Sequence, residues 1–223
     1  MAQSANPPLV LSNATLPPVT NQSGDGYLNL VLNEMFARTG LAYTLEAAPP
    51  ERGLFYVAAG QFDGEAARAE IVSESFPDLI KLSEPIIDVA FAGLMKHERY
   101  RISSWQDLSD LRVGYIRGWK IFDSILENHR DVARVRNADI LLNMLKHDRI
   151  DVALITVVPG RQLAQEKGMG HLFATEARLT VNLFMYLNKK HADKAEKLNN
   201  ALIAMKADGR YDEIMAGYVL ASE

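Results

Sequence analysis

Arg112-Val113-Gly114-Tyr115-Ile116-Arg117-Gly118-Trp119-Lys120 is the stretch that decides the fold class. Its first five residues are a β-rich run bounded by turn residues, so a strand is predicted over 112–116. Gly118 breaks the run. Ile121, Phe122 and Ile125 then share one face of a helix predicted over 119–128. The same unit recurs downstream. Residues 132–135 read as a strand, and Asn137 is a suitable N-cap for a helix carrying Ile140, Leu141, Met144 and Leu145. Residues 151–156 (DVALIT) read as a β-branched strand, followed by a helix over 159–167 that Gly168 closes. Strand and helix alternating at this spacing argue for an α/β fold with mainly parallel sheets.

The alternation also runs upstream. Residues 8–14 (PLVLSNA) predict a strand. Leu28, Val31, Leu32 and Met35 then lie at i, i+3, i+4 and i+7, with Arg38 in the last turn and Gly40 as the left-handed cap. A second strand is predicted over 42–47. Pro49-Pro50-Glu51 opens a helix with Leu54, Val57 and Ala58 on its apolar face and Gly60 at its end. Phe62-Asp63-Gly64 starts a short strand, and Phe76-Pro77-Asp78 is a turn. Residues 79–82 and 86–95 are strand-like, the latter apolar enough to be buried on both faces. A long strand is predicted over 179–187. A C-terminal helix carries Leu198, Ala201, Leu202 and Met205 and is capped by Gly209, and a last helical piece covers 211–219. The pattern occurs twice, with the polar segment 103–111 leading into the second block. No shorter repeat is present, which excludes a solenoid.

The 223 residues hold 24 basic and 28 acidic side chains, a net charge of −4, with 48% apolar residues and no cysteine. A chain of this size buries about 70% of its unfolded surface and needs no disulfide or metal to fold. No apolar run is long enough to span a bilayer. A mildly acidic chain without a basic stripe is a poor ligand for nucleic acid, whose phosphates demand clustered Lys and Arg. The absence of cysteine excludes thiol nucleophiles and thiolate metal sites. It fits both a cytosolic protein and an exported, bridge-free one. The opening Met1-Ala2-Gln3-Ser4-Ala5-Asn6-Pro7-Pro8 has no basic or apolar leader segment. It reads either as a cytosolic start or as the short tether of a mature exported chain.

Tests for catalytic chemistry come out negative. His97, His129, His147, His171 and His191 form no i, i+4 pair, so no metal site is predicted. There is no phosphate-binding G-x-x-x-x-G-K-[ST] loop and no G-x-S-x-G elbow. Gly168-Met169-Gly170 follows a helix where a dinucleotide fingerprint must follow a strand. No catalytic residue and no cofactor are predicted. What remains is a set of cations where parallel α/β sheets hold ligands, beyond the carboxyl ends of strands and beside helix N-termini. Arg52 opens a helix, Arg68 follows the strand containing Asp63, and Arg117-Gly118-Trp119-Lys120 joins a strand to a helix whose backbone N–H groups could hold an anion. The competing reading of each is a solvent-facing side chain in a local ion pair.

The order and spacing of several short motifs resemble the type II periplasmic solute-binding proteins, in the branch that includes the polar amino-acid receptors of ABC transporters. They are Ala59-Gly60-Gln61-Phe62-Asp63, Leu82-Ser83-Glu84-Pro85-Ile86, Trp105-Gln106-Asp107-Leu108 with Val113-Gly114, Asp148-Arg149-Ile150-Asp151-Val152-Ala153, and Ala207-Asp208-Gly209-Arg210-Tyr211. The resemblance implies a two-lobed α/β fold with mixed sheets flanked by helices. Lobe one would be 1–90 plus 186–223, lobe two 91–185, and the crossing strands 86–95 and 179–187. It further implies a small-molecule ligand held in a cleft that closes about a hinge, an ABC permease or membrane sensor as partner, a periplasmic location after removal of a signal peptide, and a monomer.

The chain departs from the family's amino-acid clamp. The stretch that carries the family's carboxylate-binding Arg reads Ala69-Glu70-Ile71-Val72-Ser73-Glu74-Ser75 here. Thr156 stands where an Asp would hold the ligand ammonium, Leu16 and Pro50 stand where aromatics would stack, and Trp119 replaces a small hydroxylated residue. By this carry-over the ligand-binding candidates are Asn13, Leu16, Arg52, Glu65, Arg68, Arg117, Gly118, Trp119, Lys120 and Thr156. An anionic or polar ligand without an ammonium fits them better than a standard amino acid. Arg68 needs a carboxylate partner once buried. Glu65 and Glu84 are the protein candidates, and pairing with either would make the arginine structural. Two other readings stay open. One is a dehydratase-like enzyme on the same fold with Glu65 as general acid. The other is the effector-sensing domain of a transcription regulator.

Overall fold

The computed structural model describes residues 7–98 and 100–222. The tether-like stretch 1–6 and Glu223 at the end of the expected first lobe lie outside them. In chain order the elements are β1 (Leu9–Asn13), α1 (Tyr27–Thr39), β2 (Tyr43–Ala47), α2 (Pro50–Ala58), β3 (Gly64–Ala69), α3 (Val72–Ser75), β4 (Ile80–Lys81), β5 (Ile87–Met95), β6 (Val113–Ile116), α4 (Ile121–Ile125), β7 (Val132–Val135), α5 (Ala138–Lys146), β8 (Val152–Thr156), α6 (Val157–Glu166), β9 (Phe173–Leu187), α7 (Ala192–Ala207) and α8 (Arg210–Ser222). The chain divides into two compact units, one comprising Met1–Ile87 with Asn182–Ala221 and the other Asp88–Val181.

In the first unit β1 is parallel to β2 on one side (Leu9↔Tyr43) and to β3 on the other (Ser12↔Glu65). β3 then pairs antiparallel with the end of β9 (Glu65↔Tyr186), which also takes β4. Leu28, Val31, Leu32 and Met35 on α1 are fully buried, as their spacing predicts. So are Leu198, Leu202 and Met205 on α7, with Ala201 nearly so. On α2 the expected apolar face is narrower. Leu54 and Val57 are buried, Ala58 is exposed, and Phe55 lies against Phe76 with 57% of its surface open. Asp63, at the mouth of β3, fastens the unit together. Its Oδ2 accepts the Val10 N–H at 2.8 Å, its Oδ1 lies 2.7 Å from His191 Nε2 and 2.8 Å from Lys190 Nζ, and its carbonyl accepts the Asn188 N–H.

In the second unit β6 is parallel to β7 and β8, whereas β8 is antiparallel to β5. The sheets are therefore mixed, because in each unit a long connecting strand, β5 or β9, runs against its neighbours. Asn137 caps α5 as expected, its side chain accepting the Ile140 N–H at 3.0 Å. Asn137→Ala is expected to cost about 1 kcal/mol, read as a lowered urea midpoint at unchanged slope.

Three elements differ from their sequence reading. The helix predicted over 119–128 shortens to α4, because its opening turn is closed by i→i+3 bonds from Phe122 N–H to Trp119 O and from Asp123 N–H to Lys120 O. α6 starts two residues earlier than predicted, which puts Pro159 in its first turn, where a missing N–H is tolerated. β9 has 15 residues, and its first part alternates buried with exposed positions (Thr175 against Glu176, Ala177 against Arg178). That is the pattern of a half-buried antiparallel strand, not of a continuous apolar run. No helix among the described residues is long and apolar enough to cross a membrane.

Candidate functional site

The parallel register of β1 and β3 sets Ser12 beside Glu65, and both are completely buried. α2 lies over them. A Cβ on Gly53 would overlap Ser12 Oγ and stand 3.1 Å from Glu65 Oε2, so glycine is what lets the helix approach this closely. Neither carboxylate oxygen of Glu65, nor Ser12 Oγ, makes a well-formed hydrogen bond. The sheet register shifts between Glu65 and Arg68, a bulge that swings the Arg68 side chain back toward Glu65. Arg68 is 8% exposed. Its Nη2 donates to the Pro50 carbonyl at 3.0 Å and lies 3.5 Å from Glu65 Oε1, while its Nε is buried without an acceptor. Burial pushes the Glu65 carboxyl up to about 7, against the opposing pull of Arg68 and the Ser12 hydroxyl.

Of the two carboxylates expected to decide the role of Arg68, Glu84 binds Lys206 at 2.7 Å instead. Glu65 is beside the guanidinium but touches it by charge alone. The Arg68–Glu65 pair is the outcome that the sequence reading associates with a structural arginine, and the guanidinium Nε is left for a further partner. Other first-unit candidates lie apart from this cluster. Asn13 ends β1 and folds its own loop, donating to Thr20 Oγ1 and accepting from Thr15 N–H and Oγ. Leu16 is half-buried, with its carbonyl taken by the Val19 and Thr20 N–H groups, and Arg52 is exposed on the first turn of α2.

In the second unit the structure groups Trp119 and Thr156. The Trp119 ring is 5.2 Å from Phe91, and Phe91 on β5 is the register partner of Thr156 at the end of β8. Gly118 adopts φ +88°, a conformation that favours glycine. Arg117 is exposed and Lys120 half-buried. The expected anion cradle finds no support here. The Arg117 and Trp119 N–H groups already donate to the Val135 and Ile116 carbonyls, and α4 has only five residues to supply a dipole.

Each unit also has an open cavity. One of about 710 Å³ in the first unit is lined by Asn13, Thr15, Thr20, Asn29 and Tyr43, whose polar groups largely bond to one another or to neighbouring loop residues. One of about 810 Å³ in the second unit is lined by Glu98, Tyr100, Arg101, His171 and Glu176 among others, and none of the ten candidates touches it. Among the described residues no cluster of His, Asp or Glu is placed to hold a metal ion.

Ser12, Gly53 and the Pro50 carbonyl are the members that sequence reading missed. The available signal was Gly53, a glycine in the interior of a short helix. It costs about 1 kcal/mol relative to alanine and so points to a close approach.

No family model matches the chain. An uncharacterized protein of Shewanella oneidensis is 24% identical over 193 residues, covering 83% of this chain and 73% of that protein. Among solved structures, a histidine kinase sensor domain with similarity to periplasmic binding proteins superposes with a TM-score of 0.82 at 17% identity, covering 96% of this chain and 97% of the other. An ancestral arginine-binding protein bound to arginine gives 0.80 at 18% identity, covering 96% and 98%. These likenesses, together with the mixed α/β units, show that the chain has the type II solute-binding-protein fold.

Proposed function

We propose that this chain is a small-molecule-binding protein of the cell envelope that serves transport or sensing, and that its ligand is a small carboxylate or similar anion recognised by Arg68. The observation that carries the reading is the Arg68 guanidinium, nearly buried with its Nε unpartnered. A buried donor left unmade is costly, and a carboxylate is its natural complement. Leu16 and Pro50, standing where the family's receptors stack an amino acid on aromatics, support a ligand other than a standard amino acid. The similar solved structures, an arginine-binding protein and a kinase sensor domain, support a role in transport or sensing; in this reading the chain is a periplasmic monomer that hands its ligand to an ABC permease or a membrane sensor. A general-acid role for Glu65 gains no support from its complete burial, since such a group must reach its substrate.

Calorimetric titration with acetate, succinate, inorganic phosphate and L-arginine tests the reading. At least one anion is expected to bind, with Arg68→Gln weakening it by roughly ten- to a hundredfold, the worth of a charge-assisted hydrogen bond. Tight binding of arginine with no binding of any anion overturns it.

A further inference from the structure

The buried trio of Glu65, Ser12 and Arg68 has more polar atoms than partners, and its two protonation states resolve that shortage differently. With Glu65 ionised, Arg68 at 3.5 Å is its only countercharge among the described residues, and the guanidinium is held on the protein. With Glu65 protonated, the carboxyl and the adjacent Ser12 hydroxyl can bond to each other with no countercharge needed, and Arg68 keeps only the Pro50 carbonyl. Its positive charge is then free to pair with an external anion. Resting on the reading of Arg68 as the ligand's cation, we propose that Glu65 is a proton-binding residue coupled to that site, so that capture of an anion by Arg68 is accompanied by uptake of one proton from solvent onto the Glu65 carboxylate.

Among the described residues, the groups that face Glu65 leave no rival for this part. β1 contributes the neutral Ser12, and β3 contributes Arg68. α2 contributes Gly53, with Glu51 and Arg52 exposed to solvent. β9 places Tyr186 opposite in the register, but its hydroxyl is engaged with Ser73 Oγ and the Ala69 carbonyl, each at 3.2 Å. Burial already holds the Glu65 carboxyl at about 7. An anion that draws Arg68 away, and adds its own negative charge, raises it further. Linkage then fixes the sign. Affinity is greatest where Glu65 is already protonated and falls as pH rises through neutrality.

The test uses acetate and succinate as probes on the full chain, with calorimetry below, at and above neutral pH in buffers of different ionisation enthalpy. Wild type is expected to take up a proton as it binds, with affinity falling toward about tenfold per pH unit on the alkaline side. Glu65→Gln is expected to bind with little pH dependence and no proton uptake. As a readout that needs no variant, ¹³C NMR of the Glu65 carboxyl follows its titration with and without succinate, and the midpoint is expected to move upward with the anion. Binding that ignores pH in wild type, or a pH dependence that persists in Glu65→Gln, overturns the coupling and leaves the ligand reading intact. Absence of binding by acetate and succinate at every pH, in both proteins, overturns the coupling, and absence of binding by inorganic phosphate as well overturns the anionic-ligand reading with it.

Discussion

Glu65→Gln is expected to remove a loss of stability on the order of 3 kcal/mol that the wild type suffers between about pH 4.5 and pH 7. Burial is the cause: in the folded protein the carboxyl holds its proton up to about 7, whereas the unfolded chain releases it near 4.5. Across that window the native state binds more protons, so stability falls as pH rises and the loss is complete above the folded value. Glutamine has the same shape and never ionises. The attraction of Arg68 for the ionised carboxyl is already contained in the folded value, and glutamine lacks it at every pH just as the protonated acid does, so the variant's curve is expected to run flat across the window. Urea unfolding of both proteins at acid and at mildly alkaline pH measures the difference. Parallel curves would show that Glu65 titrates as an ordinary surface carboxylate.

Asp63→Asn is expected to cost about 2 kcal/mol at neutral pH. Burial alone would raise this carboxyl. Hydrogen bonds from Lys190, the Val10 N–H and His191 outweigh it and bring the group down to about 2 from 3.8. The sign is opposite to that of Glu65. The stabilisation is present above 3.8 and is lost as pH falls toward 2, so variant and wild type should converge in acid. Lys190 is half exposed and screened by solvent, so most of the effect belongs to Val10 and His191, which fasten the start of β1 and the turn before α7 to the mouth of β3. Equal unfolding midpoints at neutral pH would show that the fastening contributes nothing.

The fold was legible where apolar periodicity was strong. The faces of α1 and α7, the β6 and β8 strands and the Asn137 cap all read directly from spacing. Shorter or mixed signals failed for physical reasons. α3 has four residues, fewer than any periodic pattern needs, and the first part of β9 hides its strand character behind Glu176, Arg178 and Thr180 on its open face. The candidate site was legible only in part. Glu65 and Glu84 are the partners that the sequence offers for Arg68, and the structure puts Glu65 beside it and Glu84 on Lys206. Ser12 and Gly53 lie on other elements, and only the β1–β3 register and the path of α2 bring them to Glu65. Arg117-Gly118-Trp119-Lys120 reads as a cradle because sequence cannot tell that the Arg117 and Trp119 amides are already taken.

The most direct measurement of the central claim is the Arg68 side chain itself, followed through its ¹⁵Nε–H resonance during titration with succinate at mildly acid pH. A saturable shift of that resonance, absent for Arg52 and Arg117, is the predicted result. Succinate binding detected by calorimetry while the Arg68 signal stays fixed would contradict it.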